Sequence, residues 1–326
     1  MALHVIVGKG PVGSTTATQL ADRGHTVRIL SRSGGSTAQP PIAHPSIEQL
    51  AVDAADERAL TAAADGAAVL YNCANPLYHR WATDWPPIAT ALLGAAERTG
   101  AVLVTMSNLY GYGPVDGPLT ESLPLAAPGT KGKVRAGMWR EALTRHEAGR
   151  VRVTEARASD FFGPEVLSGG QFGDRVMPRM LAGRPVQLLG RADAPHSWTY
   201  IPDVARALVR LGTDERAWGR AWHVPTEPPL SARDLVARLA RAAGVDQPTV
   251  RSLPWVVIRT LGVFSPLLRE LEEVRYQHDR PFVLDSTAYT ATFGEHATPF
   301  DQALAETVAW WRRRLAGSAP DRVTRG

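Results

Sequence analysis

A strand-like apolar run, Leu3-His4-Val5-Ile6-Val7, meets glycines at Gly8, Gly10 and Gly13, and this spacing constrains the fold more than any other feature of the chain. The first glycine permits a tight turn off a strand, the second lets backbone N–H groups approach phosphate oxygens, and the third lets the next helix pack close to the sheet. The helix start then directs partial positive charge at a diphosphate. Three glycines alone also describe an ordinary loop. Here an alanine- and threonine-rich helical stretch, Thr15 to Arg23, follows the glycines, Gly24-His25 stops it, and a second strand is predicted over Thr26 to Leu30. The pattern points to a dinucleotide pyrophosphate held by Gly8, Gly10, Pro11, Val12 and Gly13.

Where an acidic residue ends the second strand of such a unit, it accepts from the ribose hydroxyls and repels a 2′-phosphate. This chain has Ser31-Arg32-Ser33-Gly34 instead. Arg32 offers a planar fork of donors and Ser31 and Ser33 offer hydroxyls, so the charge logic favours NADP, with NAD less favoured. Alternatively Arg32 is one more surface arginine. Asp53, after Leu50-Ala51-Val52, could accept from the adenine amino group or cap a helix over Asp56 to Ala64.

The 326 residues are 44% hydrophobic, enough for a large core. With 36 basic against 32 acidic residues the net charge is only +4, and Arg312-Arg313-Arg314, the one basic cluster, reads as a helix C-terminus facing its own dipole, so nucleic acid is not expected as a partner. The lone Cys73 excludes an intrachain disulfide and a cysteine zinc site, no histidine spacing suggests a metal, and a reducing cytoplasm fits. No apolar run is long enough to span a membrane, and no secretory signal is read at Met1-Ala2. The expected partner is a small-molecule substrate, with a homodimer allowed for. Three of the 36 basic residues are lysines, Lys9, Lys131 and Lys133, so two lysines within three positions stand out.

Strand and helix signals alternate through the first half, with strands near 3–8, 26–31, 49–53, 67–73, 101–106 and 151–157. The expected fold class is α/β, a doubly wound parallel (Rossmann) sheet with a smaller C-terminal lobe. The boundaries read as a dinucleotide domain over 1–165 with a returning strand near 221–224, a substrate lobe over 166–316 with helices near Ser231–Ala243 and Phe300–Leu315, and a flexible tail over 317–326. Chemistry belongs at the carboxyl ends of the strands.

The glycine turn, the strand end Asn72-Cys73-Ala74, the stretch Ser107-Asn108-Leu109-Tyr110-Gly111 with Thr120-Glu121 and Pro124, Arg157 to Pro164, and Thr199 to Ala207 together resemble the short-chain dehydrogenase/reductase superfamily, in its extended epimerase/dehydratase-like branch. The resemblance spans nearly the whole chain and implies cofactor contacts at Cys73 and Ala74. It also implies a general acid/base tyrosine, a lysine four residues on, a serine or threonine after the fifth strand, and commonly a glutamate four residues past the lysine. Taking Glu141 as that glutamate puts Lys133 at the tyrosine position and Gly137 at the lysine position. Neither expected residue is present, so the chain reads as an atypical member.

Hydride transfer still needs a proton donor or acceptor beside the reacting oxygen. The candidates are Lys133, and Tyr110 or Tyr112, with Ser107 or Thr105 positioning the carbonyl. Alternatively Lys131 and Lys133 bind cofactor phosphate or ribose, the reading favoured over acid/base work, and the tyrosines pack under the loop. Tyr78, Trp81 and Trp85 would share one helical face, either walling the crevice or filling core. His196 and Trp198 lie where the family contacts substrate, or His196 is a satisfied histidine in a loop, Asp160 is read as capping or hydrogen-bonding locally, and Phe161 to Pro164 are implied as a floor near the nicotinamide. The expected function is an NADP-dependent oxidoreductase acting on a carbonyl or secondary alcohol of a small metabolite, with Ser107, Tyr110 and Lys133 as catalytic candidates. The alternatives are a nucleotide-sugar epimerase/dehydratase and a non-catalytic NADP-sensing regulator.

Overall fold

Strands β1 (Leu3–Val7), β2 (Thr26–Ser31), β3 (Ile47–Ala51), β4 (Ala67–Asn72), β5 (Val102–Asn108) and β6 (Val153–Ala158) alternate with helices α1 (Pro11–Asp22), α2 (Glu57–Ala63), α3 (Trp81–Thr99) and α4 (Thr130–Glu147) in the computed structural model, which describes residues 1–35, 44–167, 170–263 and 265–317. The chain continues through β7 (Asp160–Phe162), α5 (Met177–Leu181), β8 (Val186–Leu189), β9 (Pro195–His196), β10 (Trp198–Tyr200), α6 (Ile201–Thr213), β11 (Ala221–His223), β12 (Leu230–Ser231), α7 (Ala232–Ala243) and β13 (Val250–Leu253). Helices α8 (Trp255–Gly262), α9 (Pro266–Glu270), α10 (Tyr276–Asp279), α11 (Thr287–Phe293) and α12 (Phe300–Gly317) complete it. The expected tail falls on residues 318–326, outside the described residues, apart from Gly317 at the end of α12.

Seven strands pair in parallel in the order β11-β6-β5-β4-β1-β2-β3, and the pairs β10–β7, β12–β9 and β13–β8 lie beside them. The strand order reverses between β1 and β4, which places a crevice outside their carboxyl ends. Alternation sorts the side chains: Ile6, Ile29 and Val104 pack under α1 and α6, while Val5, Val7, Leu70 and Leu103 pack under α2 and α3. A third core gathers Phe162, Phe172, Trp198, Leu235, Leu239 and Trp311. Each buried Val or Leu contributes roughly 1.5–3 kcal/mol relative to exposure. Packing of that size holds α1 in place although no side chain caps its start.

Helix α1 begins at Pro11, four residues before the expected Thr15, because proline's fixed φ and missing N–H suit the first helical position. Ser231 is the N-cap of α7, accepting from the Asp234 N–H at 3.1 Å, and Gly244 closes that helix in the left-handed region. Among the described residues no helix is long and apolar enough to cross a membrane.

His4, on β1, is buried with Nδ1 3.2 Å from the Tyr71 hydroxyl and Nε2 3.1 Å from His25 Nδ1. Burial, reinforced by His25, pulls its pKa from 6.5 to about 4. An unfolded chain therefore binds this proton more readily than the folded one, so the contribution is complete above pH 6.5 and is lost as the pH falls toward 4. Urea unfolding should show stability dropping by ~2 kcal/mol across that window, and His4→Gln should flatten the slope.

Candidate active site

The crevice starts at the glycine turn. Gly8 has φ +108°, donates its N–H to Leu30 O at 2.8 Å, and lies so close to the Cys73 carbonyl that a Cβ would overlap it. A Cβ on Gly13 would overlap the Gly8 carbonyl in the same way. At Gly10 a Cβ would meet nothing within 4 Å among the described residues. The turn thus presents open space beside the first turn of α1, where the N–H groups of Val12 and Gly13 have no intrahelical acceptor and no side chain caps them. This fits a diphosphate. Cys73 and Ala74 back the turn: Cys73 donates its N–H to Val7 O at 2.8 Å, and burial pushes its thiol up to about 12.

Lys9 ties the turn to the end of β2 by donating to Gly34 O at 2.8 Å. Arg32 and Ser33 are exposed just beyond β2, and Ser31 donates to Gly34 O at 3.4 Å. Asp53 is exposed after β3 and accepts from the Ala55 N–H, whereas the N-cap of α2 is Asp56, accepting from the Ala59 N–H.

At the carboxyl ends of β4 and β5 the side chains converge. Ser107 is buried at the end of β5. Tyr78 donates to the Tyr110 hydroxyl at 3.2 Å, and Trp81 lies 5.8 Å from the Tyr110 ring and 6.2 Å from that of Trp85. Of Tyr78, Trp81 and Trp85, the two tryptophans share α3 and are buried as core, whereas Tyr78 precedes that helix in a 3-10 turn with its hydroxyl on Tyr110. Burial, with the charge of Asp160 as a further cause, holds both the Tyr78 and Tyr110 phenols well above the ordinary range. Tyr112 points away, its oxygen 2.7 Å from Arg157 Nη1 and 2.8 Å from His223 Nε2.

Helix α4 turns Lys131 and Arg135 inward, one turn apart, and leaves Lys133 exposed. Lys131 Nζ sits 4.6 Å from the centre of the Tyr78 ring and pairs with Glu270 and, at 3.3 Å, with Glu273. Glu273 also accepts from the Lys131 N–H at 2.6 Å and so caps α4 from a distant segment. Arg135 spreads its guanidinium over Trp81 and Trp85, 4.6 and 4.3 Å from the ring centres, and donates to Met106 O at 3.4 Å. Its Nε is buried without a partner among the described residues, and burial lowers the guanidinium to about 10.

Residues 5–224 match the model of the NAD dependent epimerase/dehydratase family. The chain belongs to this family. In this epimerase/dehydratase-family protein a nicotinamide dinucleotide is the cofactor supported by the family and by the turn. No curated protein matches the chain. The fold is that of dTDP-glucose 4,6-dehydratase from Bacillus anthracis in complex with NAD (16% identity, 96% of this chain and 97% of that one, TM-score 0.78). UDP-glucose 4-epimerase from Thermotoga maritima with UDP-glucose is similar (16%, 96% and 99%, 0.77), as is a dTDP-glucose 4,6-dehydratase from Streptomyces venezuelae with NAD bound (21%, 97% and 98%, 0.76).

Lys133 and Gly137, the positions set by Glu141, are both exposed on the outer side of α4, whereas Lys131 and Arg135, at the same four-residue spacing, are buried. Of the other motif residues, Asp203 is structural, accepting from the Thr298 N–H and hydroxyl at 2.7 and 2.6 Å. Trp198 is core, donating to Leu230 O at 2.9 Å and resting against Phe172. Glu270 and Glu273 meet Lys131, and Gln277 and His278 meet His196, from segments the motifs did not mark. Among the described residues no three His, Cys, Asp or Glu side chains gather as a metal site.

Proposed function

We propose that this protein binds NADP(H) across the Gly8–Gly13 turn and carries out redox chemistry at a secondary-alcohol or carbonyl carbon held beside Ser107, Tyr78 and Tyr110. When bound, the dinucleotide supplies the hydride acceptor or donor. The observation that carries the reading is the open space at Gly10, flanked by two glycines that cannot take a Cβ and leading along the ends of β4 and β5 to that polar cluster. Ser107 and Tyr110 would hold the substrate oxygen by hydrogen bonds, and Arg135, with its unpartnered Nε, would keep that wall positively charged. Nucleotide-linked sugars are the first substrates to try, because solved proteins of this fold are named for them. Preference for NADP over NAD rests on exposed Arg32 and Ser33 at the end of β2, where no carboxylate stands.

Lys131 favours a second reading, a dinucleotide-binding protein without turnover, because it sits at the family's tyrosine spacing with its ammonium closed by two carboxylates. Fluorescence titration with NADPH and NADH, followed by NADPH oxidation with a panel of keto-sugar nucleotides and simple ketones, separates the two. The enzyme reading expects NADPH to bind more tightly than NADH, Arg32→Ala to weaken NADPH about tenfold with NADH unchanged, and at least one carbonyl to be reduced. Tight NADPH binding with no reduction across the panel would establish the second reading instead.

A further inference from the structure

We propose that Asp160 and His196 are the proton-handling pair of this site, Asp160 taking or giving the proton of the reacting oxygen and His196 positioning it; this rests on the redox function proposed above. Asp160 opens β7, directly beyond the carboxyl end of β6, and pairs in register with Trp198 of β10, two residues after His196. Its Oδ2 lies 3.1 Å from His196 Nε2, and its side chain keeps 28% of its surface. Among the described residues neither carboxylate oxygen accepts a hydrogen bond in good geometry, Oδ2 meeting the imidazole as a close ion-pair contact, so the carboxylate is only partly enclosed.

His196 Nδ1 is 3.2 Å from the carbonyl of Gln277, which can only accept, so Nδ1 carries a proton. Nε2 then faces Asp160 Oδ2 at 3.1 Å. The approach is bent, and Nε2 finds no in-line acceptor in the resting structure. Catalytic contacts in unliganded sites are commonly misaligned and tighten only with substrate. The ring is fixed between Trp198, 4.3 Å away, and Phe282, 5.4 Å away, with the parallel ring of His278 at 6.2 Å.

The other groups facing this place are less suited to the task. Burial keeps His278 neutral at ordinary pH. Tyr78 spends its proton on Tyr110, and both phenols are pushed too high to ionise near neutrality. Lys131 is engaged by Glu270 and Glu273. For Asp160, burial alone would raise the carboxyl, but the close contact and charge of His196 take it below its usual range. It is therefore the ionised, partly open base of the crevice. In the oxidising direction the substrate O–H bond would break with its proton passing to the Asp160 carboxylate as the C=O bond forms, and an oxidised dinucleotide held at the Gly8–Gly13 turn would supply the acceptor for the C–H electron pair as hydride. Reduction reverses each transfer.

The test uses the full-length protein, NADPH and 9,10-phenanthrenequinone as a general carbonyl probe, with Asp160→Asn, Asp160→Ala and His196→Asn. Asp160→Asn should bind NADPH within threefold of wild type yet lose about 100-fold or more in kcat. In Asp160→Ala, added formate should restore about tenfold of the lost rate, which a merely structural aspartate would not allow. His196→Asn should lose less and shift the acid limb of the pH–rate profile. Equal urea midpoints show that the variants fold, and if Asp160→Asn does not fold, Asp160→Ala with formate carries the test. Turnover that survives in the folded Asp160 variants overturns the proposal alone. A wild type that binds NADPH but reduces neither the quinone nor any carbonyl of the panel overturns the redox function and this role with it.

Discussion

Gly13→Val is expected to lower NADPH affinity at least 100-fold. The added Cβ would overlap the Gly8 carbonyl, and Gly8 has nowhere to retreat, because its N–H is bound to Leu30 O at 2.8 Å and its Cα faces the Cys73–Ala74 backbone. The start of α1 must move instead. Hydrogen bonds weaken steeply outside a window of about half an ångström, and a bond to a charged group is worth roughly 1.5–3 kcal/mol. Losing two amide–phosphate contacts then costs about 3–6 kcal/mol, which gives the expected fold-change. The same displacement separates α1 from Ile6, so the urea midpoint should fall as well. Gly10→Ala is the informative partner: Gly10 has an ordinary φ of −70° and, among the described residues, open space around a Cβ, so its stability should stay within about 0.5 kcal/mol while the methyl would intrude on the proposed diphosphate site. A Gly10→Ala protein that binds NADPH as wild type does would show that the diphosphate is held elsewhere.

These glycines were legible because their constraint is local: strand, turn and helix start lie within twelve residues. The sheet was legible for a related reason. Each strand is an apolar run whose partners follow from the alternation of strand and helix, so β1 to β6 and the returning β11 could be placed without knowing any side-chain contact. The inward face of α4 was not legible. Its buried residues are Lys131, Gly132, Arg135, Ala136 and Ala142, a face with almost no large apolar residue to reveal its phase. Setting the helix by Glu141, which is exposed and paired with Arg145 at 2.7 Å, put the inward positions two residues late. The usable signal was steric, because a Cβ at Gly132 would press on the Tyr110 backbone and on Ala127, which fixes that turn of α4 against the loop. The pairing of Lys131 with Glu270 and Glu273, and of Asp160 with His196 near His278, joins residues far apart in the chain, and nothing in local spacing encodes it.

Glu155→Ala should destabilise the protein by about 3–5 kcal/mol, because its side chain is bonded to the buried Arg157 behind the crevice cluster. Glu155 and Arg157 are two apart on β6, so both point to the same side of the sheet, and both are about 3% exposed. Their contact, 2.6 Å from Arg157 Nε to Glu155 Oε1, begins a directed chain. Arg157 Nη1 donates to the Tyr112 oxygen at 2.7 Å, and His223 Nδ1 faces the Asp285 carbonyl at 2.8 Å and must donate there. His223 Nε2 is then a lone pair, and Tyr112 donates to it at 2.8 Å. Burial keeps this imidazole neutral, consistent with that assignment, and burial holds the Tyr112 phenol at about 12 despite the opposing Arg157 charge. Removing Glu155 strands a buried guanidinium, one of whose nitrogens, Nη2, already lacks a hydrogen-bond partner among the described residues. The greater part of the cost is that unbalanced charge rather than the lost attraction, so Glu155→Met combined with Arg157→Leu should recover most of it. Urea unfolding of the single and double variants measures this directly. A double variant no more stable than Glu155→Ala would show that shape and the Tyr112–His223 contacts, not charge balance, set the energetics behind β6.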